Sequence, residues 1–140
     1  MTILLLAAIL AGGPVEFWTA SELKTSTKAL AGESDAKAIA GKTLGAASLW
    51  RRAKSGEAEL HKTKSDLLVI EDGSATLVYG GSIRGAHTTQ PNEIRGTAIE
   101  GGETRKLGAG DIVRIPPNTP HQFILDKGQS VAYFALKLSR

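Results

Sequence analysis

At 140 residues the chain is long enough for one ordinary domain with a real core and too short for two. It is 41% hydrophobic, 22% charged and 5% aromatic, with a net charge of +3 and basic residues scattered apart from the cluster "WRRAK"; this is a folded protein with a solvated surface, and a nucleic-acid platform is excluded. The absence of cysteine excludes disulfides, thiolate metal sites and cysteine nucleophiles, and leaves any metal to histidine, carboxylate and water.

The opening "MTILLLAAILAGG" has the length and apolarity of a signal-peptide core, with small residues Ala11, Gly12 and Gly13 at the cleavage region. It predicts a signal peptide over residues 1–13 and export to a periplasm or medium, and it is too short to span a membrane. No Lys or Arg precedes the run and Pro14 follows it, so a buried N-terminal strand is the competing expectation.

Residues 14–140 are then one domain that begins with a helical extension over about 19–31. Thr19 and Glu22 have capping-box spacing, Leu23 and Leu30 share a face, and Gly32 suits the stop. "ESDAKAIAGK" is open between a further helical turn and a lead-in strand.

From Thr43 the pattern changes to short strands in "ASLWRRA", "EAELHKT", "DLLVIED", "SATLVYG", "DIVRIPP", "HQFILD" and "SVAYFALKL", which predict a sandwich or barrel. Asp72-Gly73 predicts a tight type I′ hairpin turn between two of them. The weakly patterned residues 80–102 are expected to be a mobile or partly stranded excursion at one barrel end.

In "EAELHKT" a period of two sets Glu57, Glu59 and His61 on one face, where a carboxylate and an imidazole projecting inward need a hydrogen bond, an opposite charge or a metal. The short turn "KTKS" returns Asp66 beside His61. His121 alternates with Phe123 and Leu125, so its face is the inner one. Histidine with carboxylate suits zinc, manganese, iron or nickel. Each of these residues also has a bland role, as a solvated face, a turn aspartate or a core histidine.

"GDIVRIPPNTPHQF" resembles the second cupin motif, G(X)5PXG(X)2H, with Gly110, Pro116 and His121 at matching spacing and Asn118 in place of the glycine. "ELHKTKSDLLVIEDG" resembles the first motif more loosely, with Glu59 and His61 at the two histidine positions, Asp66 at the glutamate and Gly73 at the glycine. The chain is similar to small single-domain bacterial cupins. That resemblance implies an all-β double-stranded β-helix, or jelly-roll barrel, with the short helix outside it. It further implies one divalent metal held inside by His61, His121 and one or both of Glu59 and Asp66, with whichever carboxylate is not a ligand acting as base.

A small molecule is the expected partner, with Arg95 pairing with its carboxylate and Trp50 either stacking on it or, as the simpler expectation, packing in the core. Whether the chain is an oxygenase, isomerase, lyase or hydrolase is left open by the fold. Two other functions compete: a non-catalytic small-molecule or sugar-binding barrel without metal, and a metal-free structural domain in which Glu59 pairs with a lysine or arginine. His87, Glu93 and Arg95 lie in the long excursion, where a solvated loop is the simpler expectation. No GxGxxG, P-loop or G-x-S-x-G pattern occurs. A homodimer through a sheet edge is expected.

Overall fold

The computed structural model describes residues 17–30, 32, 34–38 and 47–139. The expected signal peptide, residues 1–13, lies outside them. Among the described residues one helix, α1 (Ala20–Lys28), precedes twelve strands. Its start follows from local chemistry: the Thr19 side chain accepts from the Glu22 backbone N–H while the Glu22 carboxylate accepts from the Thr19 N–H at 2.8 Å. Trp18, just before it, lies against Phe134 on the outside of the barrel, with ring centroids 5.9 Å apart. The helix ends at Lys28, short of the expected Gly32 stop.

The strands are β1 (Ser34–Ala38), β2 (Ala47–Arg52), β3 (Ala58–His61), β4 (Lys64–Tyr79), β5 (Ser82–Arg84), β6 (His87–Gln90), β7 (Glu93–Gly96), β8 (Ala98–Glu100), β9 (Glu103–Gly108), β10 (Ile112–Ile115), β11 (His121–Ile124) and β12 (Val131–Ser139). All their pairings are antiparallel. One face runs β1-β2-β12-β4-β10 and the other β9-β4-β11-β3-β7-β6, so β4 belongs to both. β5 and β8 form a separate ribbon. This is the expected jelly roll with a helix outside it.

β4 corrects the expected hairpin. Asp72-Gly73 does not turn the chain back; the strand continues for sixteen residues, pairing with β12 and β10 first and with β9 and β11 afterwards. Gly73 has φ +72°, and the β12 register shifts beside it, leaving Glu71 without an opposite residue. A Cβ at Gly73 would overlap the Ser130 carbonyl oxygen, which accepts from Ser74 N–H at 3.1 Å. The conformational freedom that would have made a turn makes a bulge, and the bulge carries one strand from one face to the other.

The core between the faces contains Leu68, Ile70, Leu77, Leu107, Ile115, Phe123 and Tyr133. Residues 80–102 take the stranded form of the expected excursion. They fold into β5 to β8, with a tight β6–β7 turn at Asn92, φ 68°, whose carbonyl accepts from Lys62 N–H at 2.9 Å. β7 then pairs along the whole of β3, which makes this stretch a wall of the barrel.

Candidate metal and ligand site

The register of three strands builds the site. On one face His121, Glu59 and Arg95 stand opposite one another across β11, β3 and β7, and His61 faces Glu93 one row along. On the other face Asp66 of β4 stands opposite Lys137 of β12. Period two turns these side chains inward, into a cavity of about 470 Å³ that also touches Trp50, Arg52, Glu57 and Tyr133.

The second motif works as a positioning device. Asn118 takes φ 60°, the left-handed conformation its side chain tolerates, and its N–H donates to the His61 carbonyl at 2.8 Å. The turn that aims His121 inward is thereby tied to the strand that carries His61. His121 and His61 are 2% and 4% exposed, with ring centroids 5.3 Å apart.

His121 Nδ1 lies 3.0 Å from the Thr119 carbonyl oxygen. A carbonyl can only accept, so Nδ1 holds the hydrogen and Nε2 of the neutral ring turns a lone pair toward the cavity. Lys137 Nζ lies 2.6 Å from His61 Nε2, and an ammonium can only donate. His61 Nε2 therefore accepts, and its Nδ1–H donates to Glu93 Oε2 at 2.5 Å. A histidine oriented through its far nitrogen by a carboxylate or carbonyl is the arrangement that supports metal ligation.

Asp66 reaches both rings, with Oδ2 at 3.2 Å from His61 Nε2 and 3.4 Å from His121 Nε2. Its Oδ1 is 2.5 Å from Lys137 Nζ but accepts no well-aligned hydrogen bond. Burial by itself would raise the Asp66 pKa; the hydrogen bonds that His121 and His61 give it when protonated at Nε2, and the charge of Lys137, outweigh it and hold the carboxyl well below the usual carboxylate range. Glu59 lies 3.8 Å from each Nε2, and its other bond is a short contact with Arg95 Nη1.

Glu59, His61 and His121 each offer one donor atom, all within 4.8 Å of one another. Neutral imidazole nitrogens and carboxylate oxygens meeting lone pair to lone pair repel unless a cation stands among them. The donor set, two nitrogens with carboxylate oxygen, fits a divalent transition ion or zinc.

All six residues singled out from the sequence, Glu59, His61, Asp66, His121, Trp50 and Arg95, line this cavity. Trp50 stacks on Tyr133 at 6.4 Å, with Arg52 over its other surroundings at 5.3 Å from the ring centroid. Arg95, expected to meet a ligand carboxylate, meets Glu59 here. His87 does not line the cavity and bonds the Gly85 carbonyl at 3.0 Å. Lys137 is the residue sequence reasoning missed as part of the site, and Glu93, for which a solvated loop is the simpler expectation, lines the cavity beside His61. The alternation Glu93/Arg95 on β7 and Tyr133/Ala135/Lys137 on β12 carried the signal, but their opposite strands were not evident.

Residues 95–140 match the family model described as an AraC-like ligand binding domain. No curated protein matches the chain. Among solved structures it is similar to the polyketide cyclase RemF from Streptomyces resistomycificus, at 19% identity and TM-score 0.53, over 75% of this chain and 64% of that one. It is also similar to the Drosophila melanogaster CENP-C cupin domain, at 11% identity and TM-score 0.53, over 75% and 69%. A Photorhabdus luminescens protein matches at 10% identity and TM-score 0.54, over 79% of both chains. The chain spans a little under two thirds of the length of the cyclase. These likenesses show the fold, a jelly-roll barrel of the kind seen in cupin structures.

Proposed function

We propose that this barrel holds one divalent metal through Glu59, His61 and His121 and uses it to bind and act on a small anionic molecule in the barrel cavity. The observation that carries the reading is the convergence of three donor atoms within 4.8 Å at a buried place. A divalent ion there supplies Lewis-acid polarisation of a carbonyl or hydroxyl, or a bound water of lowered pKa.

The other side chains have separate work. Glu93 and the Thr119 carbonyl fix the two imidazoles so that both Nε2 atoms face inward. Asp66, held ionised, is a counter-charge and a weak base. Arg95 keeps the Glu59 carboxylate turned toward the cavity. Trp50, Tyr133 and Phe123 form the apolar wall against which a ligand rests. The match to a ligand-binding family supports a small-molecule partner.

Metal analysis by plasma mass spectrometry on untagged protein tests this reading, beside the His61→Ala, His121→Ala double variant. The wild type is expected to hold close to one equivalent and the double variant none. Negligible metal in both after incubation with zinc, manganese and iron rejects it.

One observation favours a second reading, a metal-free small-molecule module: the Lys137 ammonium already sits among the donors, 2.6 Å from His61 Nε2. Ligand binding that is unchanged by chelation would select it. Export, proposed from residues 1–13, is tested by N-terminal sequencing from the native host, and retention of Met1 to Leu10 would reject it. Homodimerisation, also a proposal, is tested by light scattering at micromolar concentration, where a monomeric mass would reject it.

A further inference from the structure

Lys137 is the cavity's most particular cation. It stands directly opposite Asp66 in the β12–β4 register, and period two makes it the third inward residue after Tyr133 and Ala135. Its Nζ lies 2.5 Å from Asp66 Oδ1 and 2.6 Å from His61 Nε2. The second contact uses the lone pair that a metal would need. An ammonium and a metal ion cannot share that lone pair, and two cations at that separation repel strongly in a buried place.

We propose that Lys137 is the resident cation of the site, which a divalent metal must displace from His61, and that the displaced ammonium becomes an anion-binding group of the cavity. The proposal rests on the metal reading above and adds to it an order of events and a ligand charge. The cavity lining has Arg52, Arg95 and Lys137 against Glu57, Glu59, Asp66 and Glu93. With neutral histidines that leaves one negative charge in excess, and a divalent ion turns it into one positive charge. The metal-loaded cavity therefore suits a carboxylate or similar monoanion, with a freed lysine on a flexible four-carbon stem able to reach it. The metal-free cavity, its own cation engaged, does not.

Mn²⁺ or Zn²⁺ alone is the probe, titrated by calorimetry into the full chain as wild type, Lys137→Met and Lys137→Gln. Both variants are expected to bind metal at least about 10-fold more tightly, because no internal cation has to leave. Acylation of Lys137 in the wild type, mapped by mass spectrometry with a soluble amine-reactive ester, is expected to rise several-fold at saturating metal while the exposed Lys127 is unchanged. That readout needs no variant, and it separates displacement from the mere loss of a nearby positive charge.

Wild-type binding with equal or weaker affinity in the variants, or unchanged Lys137 acylation at saturation, overturns the lysine proposal and leaves the metal reading standing. Absence of metal binding in all three chains overturns both. Binding by the variants alone supports the proposal in its strongest form, with the lysine closing the site. Thermal melts show which variants are folded; should Lys137→Met fail to fold, Lys137→Gln and the acylation measurement decide.

Discussion

The two ends of the barrel are built from the same strands. β4 carries Asp66 at one end and Ile70 and Leu77 further along; β11 carries His121 and then Phe123; β12 carries Lys137 at one end and Val131 and Tyr133 toward the other. Inward positions recur every second residue at both ends, and the backbone pairing is continuous between them. The difference lies only in which side chains occupy those positions. At the apolar end burial itself is stabilising, by roughly 25 cal/mol for each Å² removed from water. At the polar end burial is costly, and ionisable groups are tied in pairs, Glu59 to Arg95, His61 to Glu93, Asp66 to Lys137. A fold can afford such an end where the other end supplies the stability, and the polar end is where function is to be sought.

Substitutions that affect one end and spare the other sharpen this contrast. The largest expected effect is at the apolar end: Ile70→Ala should lower stability by about 2–5 kcal/mol in urea unfolding while metal per folded chain stays unchanged. At the bulge between the two faces, Gly73→Ala places a Cβ on a residue with φ +72° and against the Ser130 carbonyl. The expected loss is on the order of 1–3 kcal/mol, read from the shift of the thermal midpoint. At the polar end, Glu93→Gln should leave the melting curve close to wild type yet weaken metal affinity by about 10–100-fold in calorimetry, because the His61 ring loses its carboxylate partner. The smallest effect belongs outside both ends: Thr19→Ala removes a helix cap and should cost about 1 kcal/mol by denaturant titration, with no change in metal binding. An Ile70→Ala protein that lost its metal while still folded would break the distinction between the ends.

The parts of this molecule legible from sequence are those whose signal is local. His121 was placed by a turn written in adjacent residues, Gly110 to Asn118, and the Thr19–Glu22 cap is complete within four positions. Asp72-Gly73 was misread for a reason that is also local: a positive-φ glycine between two alternating runs serves a hairpin or a bulge equally well, and only the position of β12 beside it decides. Residues 80–102 looked unpatterned because their strands are three or four residues long and their partners distant. Glu93 and Lys137 follow from that same limit. Each is an ordinary surface-type residue until the β3–β7 and β12–β4 registers set it opposite His61 and Asp66.

The central claim is that the polar end is a metal centre made of Glu59, His61 and His121. Anomalous diffraction from crystals grown with manganese or zinc, collected on either side of the metal's absorption edge, tests it most directly. The account predicts one anomalous peak within bonding distance of His61 Nε2, His121 Nε2 and a Glu59 oxygen, with the Lys137 ammonium moved away from His61. A cavity without a peak at saturating metal, with Lys137 still on His61, or a peak held by His87 or other residues outside the barrel, would contradict it.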